Sequence, residues 1–202
     1  SLGESTQVEA EHFQYLGRIK NLAFIAGFRL DNQEINTYRD YELDGAYKQN
    51  FSQGFINFQN SGNNKIAGGI GTAYEYIRFS PAVPSVTEVK GRFTNMKSYV
   101  YFKYNDLNQI FFPTRGLKIN TELAQVYNQR PNLKLYENGT PVVPSNLNFE
   151  NFSRFTLDAT LFTPLNKKFN FLAELQAGIN FTNQPNYLNN FLIGGLNGSF
   201  RN

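Results

Sequence analysis

Residues 169–181 read FNFLAELQAGINF, an alternation of apolar and polar positions. Every odd position is apolar, and every even position except Leu172 is polar or glycine. Because side chains alternate between the two faces of a β-strand, the segment predicts a strand with one apolar and one polar face. Soluble strands have about five or six residues, whereas a tilted strand that spans a membrane needs roughly nine to eleven. The length favours a membrane-spanning strand.

The composition excludes one class of membrane protein and allows another. The 202 residues are enough for one barrel or sandwich domain. Hydrophobic residues make up 41% of the chain and the mean hydropathy is −0.45, so transmembrane helices of about eighteen or more apolar residues are excluded. A β-barrel escapes this test because half of each strand is polar. The 20 Phe and 12 Tyr suit pleated strands and the aromatic girdles of barrels.

The residue types that carry most enzyme chemistry are absent or isolated. The chain has no cysteine for disulfides or metal sites, and its single histidine is His12. No Gly-x-Ser-x-Gly element occurs, and the glycines of residues 68–71 lie inside a predicted strand, without a following helix to hold a phosphate. The net charge of +3 is spread along the chain. We expect no enzyme activity, no cofactor or metal, and no nucleic-acid partner.

Similar alternation recurs along the chain and predicts about nine antiparallel strands. Together they predict an all-β fold, a transmembrane antiparallel β-barrel. The predicted strands are residues 5–15, 21–30, 35–44, 51–59, 65–79, 93–104, 117–127, 152–162 and 169–181.

The connections between these strands alternate in length. Short turns at one end and long loops at the other are typical of outer-membrane barrels, so the short set is predicted to be periplasmic and the long set extracellular. The short set is residues 31–34, 60–64, 106–116 and 163–168, and the long set is residues 80–92 and 129–151.

The two ends of the chain predict that it is part of a larger barrel. It begins with Ser1, and its only methionine is Met96, so we expect upstream residues. The last residues, GGLNGSFRN, read as a loop that closes no strand. An unpaired edge is not tolerated in lipid, where every backbone group needs a partner. We expect residues 1–202 to be a partial outer-membrane β-barrel domain, with upstream domains and the closing strands outside it.

The segment NDLNQIFFPTRG between the sixth and seventh predicted strands predicts a tight turn. Pro113 fixes φ, and Gly116 can adopt a positive φ. The order of these elements resembles that in the surface-antigen barrels of the BamA and two-partner-secretion superfamily. The elements are Asp106, then Phe112-Pro113-Thr114-x-Gly116, then an amphipathic strand. In that superfamily, two further strands are followed by an aromatic residue, a Gly-Gly pair and a loop arginine.

The same order continues here with Phe191, Gly194-Gly195 and Arg201, so the resemblance covers residues 93–202. The segment FLIGGLN and the Asn-rich and Tyr-rich style also resemble the barrels that follow patatin-like phospholipases of Bacteroidetes-type bacteria. The superfamily's loop usually reads Arg-Gly-aromatic, with its arginine reaching into the lumen. Here Asn202 follows Arg201, so a solvated loop arginine stays open as the alternative.

This resemblance implies a barrel of about sixteen strands that acts in protein assembly or translocation at the bacterial outer membrane. It implies three kinds of partner: the lipid bilayer, client outer-membrane proteins and a linked N-terminal passenger domain. The chain would then be the membrane anchor or secretion barrel of a patatin-like phospholipase. Two alternatives remain: a passive outer-membrane channel or adhesin, and a soluble β-sandwich binding module with the same alternation.

Charged residues recur on the polar faces of three consecutive predicted strands. A register with Arg154 opposite Gln176 makes Glu174 its diagonal neighbour, and we prefer it to a two-residue slip that sets two carboxylates opposite each other. Buried charges must be paired or wet. The pattern predicts either a lumen network that anchors an inserted loop or polar residues in a hydrated pore. The set is Lys118, Glu122, Arg154, Asp158 and Glu174.

A small face on the fifth predicted strand, formed by Gly69, Gly71 and Ala73, indicates that something packs closely against it from inside. We expect residues 191–202 to fold back against this wall, with Arg201 paired to a carboxylate. The candidate carboxylates are Glu75, Asp158 and Glu174.

The alternation also predicts which side chains face lipid and which face the lumen. The residues predicted to face lipid are Ile119, Leu123, Leu157, Ala159, Leu161, Phe171, Leu175 and Ile179. The residues predicted to face the lumen are Glu122, Arg154, Asp158, Glu174 and Gln176.

Overall fold

The computed structural model describes residues 6–18, 21–39, 42–83, 87–137, 140–142, 149–166 and 168–182. One antiparallel sheet contains all strands of these residues, which confirms the predicted all-β architecture. No helix in this described part of the chain is long and apolar enough to cross a membrane. The strands are β1 (Thr6–Leu16), β2 (Leu22–Arg39), β3 (Glu42–Ser61), β4 (Ile66–Val83), β5 (Thr87–Asn105), β6 (Gly116–Glu137), β7 (Thr140–Val142), β8 (Phe152–Pro164) and β9 (Asn170–Phe181).

The sheet is a meander. Its strand order is β1-β2-β3-β4-β5-β6-β8-β9, and the short β7 pairs with the end of β6. Successive hairpins therefore lie at alternate ends of the sheet. We call the end that carries residues 62–65, 106–115 and 165–169 the turn end. The opposite end, with the β4–β5 and β6–β8 connections, is called the loop end.

The two faces of the sheet differ in shape and chemistry. A polar cavity of about 470 Å³ lies against one face, and its lining extends from Glu9 on β1 to Gln176 on β9, so this face is concave. We call it the inner wall and the opposite side the outer face. On the outer face, large apolar side chains are exposed; Leu175, for example, is 56% exposed. A polar concave face and an apolar convex face are what a barrel in lipid requires.

The strand register places the residues of the sequence prediction on the expected faces. Ile119 lies across from Ala159, which lies across from Leu175, and this row is on the outer face. The other predicted lipid-facing residues share that face: Leu123, Leu157, Leu161, Phe171 and Ile179. The polar positions fall on the inner wall: Lys118, Glu122, Arg154, Asp158, Glu174 and Gln176.

The predicted third strand, residues 35–44, is wrong. β2 continues through residues 31–34 to Arg39, and β3 begins at Glu42 and pairs with it, so residues 35–39 and 42–44 belong to two long paired strands. The polar run at residues 31–34 suggested a turn, but Asp31 is only 4% exposed on the inner wall. Its polarity reflects a wall that faces a polar lumen. The described sheet has eight long strands and the short β7.

Strands also occupy much of the two predicted long loops. β4 ends at Val83, β5 begins at Thr87, and β6 ends at Glu137. Strands of 18–22 residues, such as β4 and β6, exceed what a bilayer needs. Their polar ends therefore extend beyond the apolar band and resemble loop sequence in composition.

The preferred register between β8 and β9 is also wrong. Arg154 lies across from Asn180, and Asp158 lies across from Gln176. The hairpin turn sets this pairing: the side-chain oxygen of Asn166 accepts hydrogen bonds from the backbone N–H groups of Lys168 and Phe169, at 2.8 and 2.9 Å. This Asx-type turn places the reversal at residues 165–169.

Candidate functional site: the inner wall and the turn at residues 106–115

A buried cation lies at the centre of the inner wall. The Nζ atom of Lys97 on β5 is 2.9 Å from Oε1 of Glu122 on β6 and 3.9 Å from Oε1 of Glu75 on β4. The Lys97 side chain is only 8% exposed. A charge this far removed from water is stable only with partners, and Lys97 has one on each neighbouring strand. The ion pairs connect three strands.

Two further side chains extend this network. Gln53 on β3 donates a hydrogen bond from Nε2 to Oε1 of Glu75, at 2.8 Å. Arg154 on β8 is 5% exposed and donates from Nε to Oδ1 of Asn180 on β9, at 2.9 Å. Arg154 lies across from Ala124 on β6, two residues from Glu122 and on the same face of the sheet. We call Glu75, Lys97, Glu122 and Arg154 the inner-wall cluster; with two cations and two carboxylates, it is electrically balanced.

Two tyrosines of β5 cover the small residues of β4. Tyr99 donates a hydrogen bond to Oδ1 of Asn57 on β3, at 2.6 Å. A Cβ atom added to Gly71 would lie 2.6 Å from Cζ of Tyr99, so only glycine fits beneath this ring. Tyr101 covers Gly69 in the same way. Tyrosine rings therefore cover Gly69 and Gly71 of this small face. Residues 191–202, which were expected to pack here, lie outside the described residues, so that expectation stays a prediction.

The sequence prediction therefore identified part of the cluster and missed its centre. Glu122 and Arg154 were predicted lumen charges and belong to the cluster, whereas Lys97 was missed. The signal was present: Lys97, Tyr99 and Tyr101 occupy odd positions of the sixth predicted strand, opposite an even face of Ser98, Val100 and Phe102.

The other predicted lumen charges lie outside the cluster. Asp158 lies across from Asn120 and borders the polar cavity. Lys118 and Glu174 lie on either side of Thr160, closer to the turn end. The structure thus separates the predicted charges into a buried central group and a peripheral group nearer the turn end.

The turn at residues 106–115 is organised by Asn108. Its backbone N–H donates to the carbonyl of Arg115, at 3.0 Å. Its side-chain oxygen accepts from the backbone N–H groups of Thr114 and Arg115, and its side-chain nitrogen donates to Oγ1 of Thr114. These bonds replace strand pairing across the turn. Asn108 was not among the predicted site residues.

Asp106 and Gly116 of the turn motif are packed against each other. Gly116 has φ +121°, and a Cβ atom there would overlap the carbonyl of Asp106. The Asp106 carboxylate forms a 2.6 Å ion pair with Lys65 of the neighbouring turn. This hydrogen-bonded ammonium lowers the pKa of Asp106. The motif therefore joins two hairpins at the turn end.

The aromatic residue of the motif is directed away from the described protein. Phe112 has φ +55° and is 90% exposed, and the preceding Phe111 and Ile110 are 80% and 91% exposed. Aromatic side chains at the end of a membrane strand suit the interface between hydrocarbon and water. Pro113 is half-buried between this apolar tip and the Asn108 hydrogen bonds.

The profile of the Omp85 superfamily domain matches residues 6–201. This chain belongs to the Omp85 superfamily. No curated protein and no solved structure matches it. Omp85 proteins are outer-membrane β-barrel proteins of bacteria, so the chain is an outer-membrane protein and its apolar outer face contacts lipid.

The Omp85 match confirms the predicted superfamily and localisation, and it indicates work in outer-membrane protein assembly or translocation. The second half of the predicted motif pair, Phe191, Gly194, Gly195 and Arg201, lies outside the described residues. The role assigned to Arg201 therefore stays a prediction.

Proposed function

We propose that this Omp85 chain forms part of the wall of a barrel that assembles or translocates proteins, without catalytic residues of its own. The inner wall carries the proposal: its ion pairs connect β4, β5 and β6, hydrogen bonds join β3 to β4 and β8 to β9, and its face is polar where it meets the lumen. A soluble sandwich would bury an apolar inner face and expose a polar outer one. The observed faces have the reverse arrangement.

The orientation in the membrane follows from the connections. We infer that the turn end is periplasmic and the loop end extracellular, because tight turns are typical of the periplasmic side. Cysteines at Thr140 and Lys168, both exposed, test this with a membrane-impermeant reagent on intact cells. Labelling at residue 140 and protection at residue 168 is expected, and the opposite pattern would reverse the orientation.

An assembly barrel and a passive channel differ in what they do to an unfolded client. Full-length protein in phospholipid vesicles should accelerate the insertion of a urea-unfolded outer-membrane barrel. Insertion is measured from the heat-modifiable mobility of the client on gels. Empty vesicles and vesicles with an unrelated porin are the controls. Steady ion conductance without faster client insertion would favour the passive channel and overturn the assembly proposal.

A finer proposal concerns a linked passenger. The resemblance of the segment FLIGGLN to the barrels that follow patatin-like phospholipases supports a role as the membrane anchor or secretion barrel of such an enzyme. Deleting the barrel from the full-length gene should then release the lipase from the outer membrane fraction. A full-length product without a lipase domain would overturn this proposal and leave the assembly role intact.

A further inference from the structure

Four cations face outward near the loop end, beyond the apolar band. Arg78 on β4 lies directly across from Arg92 on β5, and Lys90 on β5 lies directly across from Lys134 on β6. Arg78 alternates with the buried Ile77, and Arg92 with the buried Phe93, so both arginines are on the outer face. We call Arg78, Lys90, Arg92 and Lys134 the cationic patch.

Like charges directly opposite each other destabilise a pair of strands. Elsewhere on this face the sheet avoids this problem, because Lys48 lies across from Glu34. Among the side chains that the structure describes, no carboxylate forms an ion pair with the four cations of the patch. Two directly opposed cation pairs with no carboxylate paired to them among the described side chains indicate an anionic ligand.

The position of the patch along its strands indicates which anion is available to it. Ile66 starts β4 at the turn end, and Arg78 follows twelve residues later, which is about 40 Å along a strand and about 30 Å across a bilayer at a tilt of about 40°. The apolar band of a barrel is about 25 Å tall. Arg78 therefore lies at headgroup level, just beyond the outward-facing Tyr74 and Tyr76.

The patch also has a shape that suits a phosphate group. A cavity of about 340 Å³ is lined by Arg78, Lys90 and Arg92 together with Tyr76, Ser80 and Asn132. Guanidinium groups bind phosphate oxygens in a bidentate manner, and the ammonium, hydroxyl and amide groups add single donors. Tyrosine beneath the cations keeps the cavity continuous with the lipid-facing surface.

We propose that the cationic patch binds the phosphate groups of phosphorylated lipids in the leaflet at the loop end. With the orientation proposed above, this is the outer leaflet of the outer membrane. A lipid is favoured over free phosphate because the cavity adjoins apolar surface that contacts acyl chains. The bound lipid neutralises the two cation pairs and holds this part of the wall at a fixed depth.

The test compares two charge-matched double variants of the full-length protein in zwitterionic nanodiscs. Arg78→Ser with Arg92→Ser removes two positive charges from the patch, and Arg18→Ser with Lys168→Ser removes two exposed charges at the turn end. The probe is diphosphorylated lipid A, titrated against each protein. The patch variant should bind lipid A about tenfold more weakly, because it loses at least one charge-assisted contact. The control variant should bind lipid A like the unchanged protein.

Further results separate lipid binding from a structural role of the patch, from non-specific charge attraction and from binding of a free anion. Without lipid A, the patch variant should unfold at the same or a higher temperature, because a repulsive pair has been removed; a large loss of stability would show a structural role and overturn the proposal. Equal weakening of both variants would show non-specific charge attraction. Inorganic phosphate that competes as well as lipid A would make the ligand a free anion. Lipid A binding with inverted labelling at residues 140 and 168 would retain the site and overturn the orientation.

Discussion

The ring of Tyr99 covers Gly71 so closely that a methyl group on the glycine would lie 2.6 Å from Cζ of the tyrosine. The tyrosine belongs to β5 and the glycine to β4, and the hydroxyl group reaches across to Asn57 on β3. One side chain thus spans three strands of the inner wall. The absence of a side chain at residue 71 is what makes this contact possible.

Gly71→Ala should therefore destabilise the sheet. The added methyl group would overlap the Asn57 side chain and the Tyr99 ring, and overpacking of this kind costs about 1–3 kcal/mol. The measurement is urea unfolding in detergent. Gly54→Ala is the matched control, because no atom lies within 4 Å of a Cβ there. Equal stability of the two variants would contradict the contact.

Lys97→Met should lower the free energy of unfolding more than Lys103→Met does. Loss of Lys97 leaves Glu75 and Glu122 without their shared cation, and breaking a buried pair costs about 3–5 kcal/mol. Lys103 is exposed, its Nζ atom lies 5.2 Å from the centre of the Tyr101 ring, and it forms no ion pair among the described residues. Adding Glu122→Gln to Lys97→Met should recover much of the stability. If that second change gives no recovery, repulsion between the carboxylates is not the cause.

The turn end should show acid sensitivity that depends on Asp106. Its pKa is lowered because the Lys65 ammonium donates a hydrogen bond to the carboxylate. The stabilising contribution is therefore present above the ordinary aspartate pKa of about 3.9 and is lost as pH falls through the lower, folded-state value. Unfolding free energies at pH 2–6 should decline less steeply for Asp106→Asn than for the unchanged protein. Identical slopes would show that the ion pair does not contribute in solution.

The sequence was sufficient to predict the chemistry of the faces. The alternation in residues 117–127, 152–162 and 169–181 correctly separated Leu123 and Leu175 from Glu122 and Gln176. This succeeds because lipid and water impose opposite demands on the two faces of each strand, and strict alternation satisfies both.

The pairing register and the length of the strands could not be predicted in the same way. The β8–β9 register depends on the hydrogen bonds of Asn166 within the turn, and alternation is unchanged by any two-residue slip. The polar residues 31–34 suggested a turn because a strand face that borders a polar lumen carries polar side chains, as it does at Asp31. Lys97 was missed since its partners Glu75 and Glu122 are 22 and 25 residues away in the chain and meet it only through the sheet.

The most direct test of the membrane assignment compares adjacent positions on β9. Leu175 is on the outer face, whereas Gln176 is on the inner wall across from Asp158, which would pair with a new arginine. Leu175→Arg should cost roughly 2–4 kcal/mol because it places a charge in lipid, and Gln176→Arg should fold almost normally. The measurement is the folded fraction in lipid vesicles, read from heat-modifiable mobility. Equal folding of the two variants would contradict the assignment of the outer face to lipid.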